Sequence, residues 1–299
     1  MRAKEAKPSH PAHTAGHSTL RTVRLGRTGS RAPAPREGVL KIIGKIVAAV
    51  LKKILAELRI HPRQIRHALN IVRPHAESNV GEALRLRAVR SSADFATENL
   101  SNALMFESPD ELRQHTVGLL ASSLSPPPPA GPQLKVLEFG VWQGNTVRLW
   151  AAAIGPSFTV AGFDSFQGLS EHWTGTNMGK GSFSLGGRLP AVPDNVELVE
   201  GWVDETLPRF LGSHDCSSVS LVHIDFDTYS PSFVALSLIG PILQPGTLIL
   251  FDDFFGYPNW QSHEYKALID SGISFDYLAF SGGGQGGHPQ NCLIEVIQK

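Results

Sequence analysis

The chain has 299 residues, room for one generous domain or two small ones. Hydrophobic residues make up 41% and charged ones 18%, which allows a sizeable core and excludes wholesale disorder. Formal net charge is zero, but residues 1–90 carry 19 Lys+Arg against 5 Asp+Glu and the remainder 8 against 22, so a basic arm precedes an acidic body.

No apolar run reaches the ~20 residues of a membrane span, because Lys41, Lys45, Lys52 and Lys53 interrupt the one candidate. Cys216 and Cys292 stand far apart without ligand spacing, so neither a disulfide framework nor a zinc site is expected. A reduced, cytoplasmic setting follows as the default.

Residues 1–38, rich in Arg, His, Pro, Ser and Thr, show no apolar period and read as a basic disordered tail. A helical extension is expected over 39–105. Within it, Leu40, Ile43, Val47, Leu51, Ile54 and Leu58 recur at helical spacing with Lys41, Lys45 and Lys52 on the opposite flank. Such a stretch packs on a neighbouring domain or subunit, as in a homo-oligomer, or lies as a peripheral helix on an anionic membrane. Residues 61–105 read as irregular or short helical material. Ser108-Pro109-Asp110-Glu111 then carries the signature of a helix start, and the helix runs to about Leu124 before Pro126–Pro129.

From there to residue 299 strand-length apolar runs alternate with helical stretches. The strands are Lys135–Phe139, Thr159–Phe163, Val196–Val199, Val219–Ile224 and Thr247–Phe251; Phe275–Phe280 and Cys292–Ile297 close the chain as an antiparallel pair. The expected fold over 106–299 is a Rossmann-like α/β domain of five parallel strands plus a C-terminal antiparallel hairpin, with helices on both faces.

Ligands of open α/β sheets bind beyond the carboxyl ends of the strands. The first such end, Glu138-Phe-Gly140-Val-Trp142-Gln-Gly144, has Gly-x-x-x-Gly spacing, which weakens the case for a pyrophosphate cradle. Glu138 would disfavour phosphates and suit a sulfonium or amino group. Asp164, ending the second strand, is placed to accept from ribose hydroxyls, with Ser165 beside it. A ribose-bearing, cationic, phosphate-free cofactor fits S-adenosylmethionine. Farther on, Asp225 and Asp227 share a strand face, and Asp252-Asp253 end the next strand. Four converging carboxylates would be costly unless a hard divalent cation such as Mg²⁺ joined them. A hydroxyl on that cation loses its proton more readily, and a carboxylate can accept it.

Leu137-Glu-Phe-Gly-Val-Trp-Gln-Gly144, Gly162-Phe-Asp-Ser-Phe-Gln-Gly-Leu169, His223-Ile-Asp-Phe-Asp-Thr-Tyr229 and Phe251-Asp-Asp-Phe-Phe-Gly-Tyr-Pro258, in this order, resemble the class I S-adenosylmethionine-dependent methyltransferases of the macrocin O-methyltransferase type. The resemblance covers residues 106–299. It implies a seven-stranded sheet and Mg²⁺-dependent methylation of a sugar or natural-product hydroxyl. It implies cofactor contacts at Glu138, Gly140, Trp142, Gly144, Asp164 and Ser165. Metal ligands would be Asp252, Asp253 and one acid of the Asp225/Asp227 pair, Asp225 in the first instance, with the pair supplying the catalytic base. No nucleic-acid partner is expected. Thr228-Tyr229-Ser-Pro231 departs from the family's Leu-Tyr-Ser-Ser/Thr run.

The thirty-residue stretch Ser165–Asn195, with His172, Trp173, Lys180, Phe183 and Arg188, is either a lid or a surface excursion. Tyr257, Trp260 and His263 would flank an acceptor sugar, and the glycine-rich 281–287 would sit on the same rim. Two rival readings remain. Asp225-Phe-Asp227 also matches the Asp-x-Asp element of metal-dependent glycosyltransferases, and a non-catalytic domain tethered by its basic amphipathic helix has the same composition.

Overall fold

The computed structural model describes residues 79–124, 133–282 and 289–298. They fall in the compact unit His75–Lys299. The basic tail, the amphipathic stretch 39–60 and most of the glycine-rich run lie outside them.

The first helix, α1 (Val80–Asn99), is opened by Asn79, whose side chain accepts from the Glu82 amide. It is one helix of 20 residues where short or irregular material was expected. Ala88, Ser92 and Phe95 are its buried face, a stripe too thin and too polar to show as an apolar period. β1 (Leu104–Phe106) follows, then α2 (Pro109–Ser123). Ser108 caps α2 by accepting from the Glu111 amide, Glu111 reaches back to the Glu107 amide, and Pro109 fills the first turn, as the motif predicts.

The α/β body runs β2 (Gln133–Phe139), α3 (Asn145–Ile154), β3 (Phe158–Asp164), β4 (Val196–Glu200), α4 (Val203–Ser213), β5 (Leu221–Ile224), α5 (Tyr229–Ile239), β6 (Leu248–Phe255), α6 (Glu264–Ser271), β7 (Phe275–Ser281) and β8 (Gln290–Val296). A 3₁₀ turn at Trp260–Ser262 precedes α6. The sheet order is β1-β7-β8-β6-β5-β2-β3-β4; β7 and β6 pair antiparallel with β8, and every other pairing is parallel. The expected five parallel strands and closing hairpin are all present. The sheet has eight strands where the resemblance implies seven, the extra one being the short edge strand β1.

Both faces of the sheet are covered, which is why its central strands are mostly apolar, Lys135, Glu138 and His223 being the buried exceptions in β2 and β5. On one face Leu137, Phe139 and Ile224 pack against Phe95 of α1, Leu207 and Phe210 of α4, Leu236 of α5 and Leu268 of α6. On the other, Val136, Val160 and Leu250 meet Leu112 and Leu120 of α2 and Val147 and Trp150 of α3. With its walls fixed on both sides, the sheet presents the carboxyl ends of β2 to β6 along one rim.

Candidate active site

That rim opens into a cleft of 620 Å³. At its first wall the chain leaves β2 and reverses through Gly140 (φ +98°), Trp142 (φ +44°) and Gly144 (φ +77°) before α3 begins. Gly140 is required there: a Cβ on it would lie 1.9 Å from the Asp225 carbonyl oxygen. Asp164, at the end of β3, braces the turn. One of its oxygens accepts from the amides of Val141 (2.9 Å) and Trp142 (2.7 Å), the other from the Phe166 amide (2.7 Å). Gly140, Trp142, Asp164 and Ser165 line the cleft, together with Asn145 and Thr146 from the first turn of α3.

Two expected cofactor contacts fall elsewhere. Gly144 shapes the turn, its amide donating to Val141 O at 2.7 Å, but does not face the cleft. Glu138 is fully buried inside the sheet. Strand alternation turns it toward α3, where it accepts from Thr146 Oγ1 at 2.8 Å and pairs with His223 Nδ1 at 3.4 Å. It acts on the cleft through these neighbours.

The second wall is acidic. Asp225 and Asp227 follow β5, and Asp252 and Asp253 sit near the end of β6; all four line the cleft. Neighbours on a regular strand point to opposite faces. Here β6 leaves its register with β8 between Phe251, opposite Cys292, and Phe255, opposite Gln290, while its pairing with β5 ends at Phe251. The irregular stretch turns both acids to the rim.

The acids fall into two groups that share Asp225. One ligand atom from each of Asp225, Asp227 and Asp253 lies within 4.8 Å of the others, as does one from each of His223, Asp225 and Asp252. Asp252, expected among the metal ligands with Asp225 and Asp253, joins the second group because three partners hold it: Arg113 Nη2 of α2 at 2.7 Å, Asn291 Nδ2 at 2.5 Å and His223 Nε2 at 3.5 Å. Burial would raise its carboxyl, but the His223 and Arg113 cations hold it at about 2. Burial likewise opposes charge on His223, yet the Asp252 and Glu138 carboxylates on its two nitrogens push it up to about 10.

The other group has less relief, since His223 acts on Asp225 alone of its acids. Among the described residues Asp225, Asp227 and Asp253 make no ion pair. Burial, and then the neighbouring carboxylates, push all three well above the ordinary carboxylate range. Asp227 also holds a left-handed backbone (φ +61°), uncommon outside glycine. Converging oxygens that make no ion pair among the described residues form a donor set suited to a hard divalent cation.

Three site features escaped the sequence reading: Arg113, Asn291 and Glu264. Arg113 and Asn291 lie 139 and 39 positions from Asp252, and Glu264 lies 37 and 11 positions from Asp227 and Asp253, so the fold joins them. Other expectations change places. Tyr257, Trp260 and His263, expected against an acceptor, are buried behind the rim: Tyr257 donates to Asp253 O, Trp260 Nε1 donates to Ser91 Oγ of α1, and His263 Nε2 meets Thr174 O at 2.9 Å. The aromatic lining comes instead from Trp142, Trp173, Phe183, Trp202 and Phe226. Most of the stretch 165–195 is exposed or half-buried, with Ser165, Phe166, Leu169 and Trp173 buried, and contacts at two points tie it to neighbouring segments. Glu171 accepts from the amide and hydroxyl of Ser230. Gly175 (φ +92°) lies so close to Pro258 O that a Cβ would sit 1.9 Å from it.

Residues 137–254, from β2 into the acid-bearing end of β6, match the family described as a methyltransferase domain. No curated protein matches the chain. Among solved structures, the calicheamicin methyltransferase CalS11 is 20% identical, covering 73% of this chain and 93% of its own, at a TM-score of 0.46. The O-methyltransferase NovP is 19% identical, covering 63% and 79%, at 0.41. An O-methyltransferase from Bacillus cereus in complex with SAH is 15% identical, covering 72% and 90%, at 0.41. Likenesses this distant decide nothing about the reaction.

Proposed function

We propose that this domain transfers the methyl group of S-adenosylmethionine to a hydroxyl of a small-molecule acceptor, a sugar or a glycosylated natural product, with Mg²⁺ at the acidic wall. The observation that carries the reading is that a braced glycine turn and an unpaired carboxylate triad open into one cleft. On this reading Asp164 receives the ribose, since its Oδ1 keeps a lone pair beyond the bond from the Phe166 amide. Ser165 and Trp142 flank it, and the first turn of α3 offers free amides to a carboxylate. Asp225 and Asp253 would hold the cation, for Mg²⁺ needs only one or two carboxylates and keeps waters or substrate in its other positions. Bound, the cofactor supplies an electrophilic methyl, and the cation eases ionisation of the acceptor hydroxyl. Asp227 takes up the hydroxyl proton. Asp252, neutralised by Arg113 and His223, fixes the rim beside them. Methyl transfer asks little else of the protein than holding nucleophile and methyl in line near contact distance.

The Asp-x-Asp glycosyltransferase reading requires cations to meet a diphosphate. Among the described residues the cleft is lined by six aspartates and one basic residue, Arg113, already paired with Asp110 and Asp252. The charge balance supports a cationic cofactor. Thermal unfolding separates the two. S-adenosylhomocysteine at a hundred times its Kd should stabilise the protein by about 2.7 kcal/mol, and a nucleotide sugar should leave it unchanged. The reverse pattern would overturn the assignment.

A further inference from the structure

We infer that Glu264 is a positioning residue that sets the spacing between the two acid-bearing segments of the rim, by clamping the backbone of Asp227 with one carboxylate oxygen and that of Asp253 with the other. The inference rests on the metal reading above, which gives those acids their roles.

Glu264 opens α6, behind the cleft, and is fully buried. An acid in the first turn of a helix is favoured by the helix dipole, but that preference is met at the surface and does not account for a buried charge. Its contacts do. Oε1 accepts from the Asp227 amide at 3.2 Å, and Oε2 accepts from the Asp253 amide at 3.1 Å. Both amides lack a ladder partner. Asp227 lies beyond the end of β5, in the left-handed turn, and Asp253 lies where β6 has left register with β8 and has no registered partner on β5. The irregularities that turn the acids into the cleft therefore free two buried N–H groups, and one side chain from a third element takes both.

A carboxylate suits this arrangement because both of its ends accept. The two amides meet different oxygens, so a glutamine in the same position would keep one bond and set its NH₂ against the other N–H. The arrangement also costs something. Burial, and then the neighbouring Asp253, push the Glu264 carboxyl well above the ordinary carboxylate range. The two bonds from one buried side chain hold Asp227 against Asp253.

Calorimetric titration of Mn²⁺ and of S-adenosylhomocysteine into the wild type and Glu264→Gln tests the assignment. The variant is expected to bind Mn²⁺ about 10–100-fold more weakly and to lose kcat, while its affinity for S-adenosylhomocysteine stays within about twofold. Unchanged Mn²⁺ affinity in a folded variant would overturn the proposal. Should the variant not fold, amide hydrogen exchange on the wild type decides: the Asp227 and Asp253 amides are expected to be protected as ladder amides are, and exchange at open-loop rates would refute the clamp. A wild type that binds no Mn²⁺ would refute the metal reading, and the exchange rates would still report on Glu264.

Discussion

Asp252 and Asp253 are adjacent in the chain and meet opposite electrostatic environments. Asp252 is matched by Arg113 and His223, and its acidity is strengthened; Asp253 faces Asp225 and Asp227, and its acidity is weakened. Replacing each by Asn should therefore have opposite consequences. Asp252→Asn leaves the buried His223 and the half-buried Arg113 without their shared anion and should destabilise by about 3 kcal/mol. Asp253→Asn relieves like-charge crowding, so the metal-free protein should melt roughly 2–4 °C higher and lose its response to Mg²⁺. Thermal melts with and without chelator measure both, and equal destabilisation by the two would contradict the division of the acids. The types and positions of these residues were legible in the sequence. Their division was not, because it depends on Arg113 and Asn291, which come 139 and 39 positions away.

Elements place those residues, and the contacts between elements carry their own consequences. The turn after β2 and the end of β5 meet at Gly140 and Asp225, with no room for a methyl group. Gly140→Ala must separate the cofactor turn from the acids. It should cost more than about 2 kcal/mol and weaken S-adenosylhomocysteine and Mn²⁺ together; retention of either affinity would show the two walls to be independent at this point. The stretch 165–195 is fastened to the 3₁₀–α6 corner by His263, whose Nε2 meets Thr174 and whose buried Nδ1 has no hydrogen-bond partner among the described residues. Burial lowers its pKa against the opposing pull of Thr174 and Glu171. Because the folded value lies below the unfolded one, the neutral ring's contribution is complete above the unfolded pKa near 6.5 and is lost as pH falls from there toward the folded value. The melting temperature should therefore fall less between pH 7.5 and 5.5 in His263→Gln than in the wild type; parallel curves would exclude this histidine as a source of acid sensitivity. Strand and helix order was readable because the parallel core writes itself as apolar runs. α1 was not, because so few of its side chains are buried, and the irregularity in β6 was not, because register is a property of strand pairs.

At the scale of the molecule, the sheet order sets β2 between β3 and β5, with β6 next to β5, so the cofactor turn and both acid-bearing strand ends become neighbours on one rim. The sequence reading anticipated that convergence from strand ends alone, since every strand of a parallel array delivers its carboxyl end to the same edge. Which side chains face the cleft and which brace it from inside, as Glu138 and Glu264 do, depends on burial and on partners distant in the chain. Cofactor and cation are thus expected to occupy two walls of one space, with separable determinants. Calorimetric titration of S-adenosylhomocysteine and Mn²⁺ into the wild type, Asp164→Ala and Asp253→Asn tests this most directly. The wild type should bind both, Asp164→Ala should lose at least about tenfold in affinity for S-adenosylhomocysteine while keeping Mn²⁺, and Asp253→Asn should do the opposite. A wild type that takes up neither, or two variants that each lose both, would contradict it.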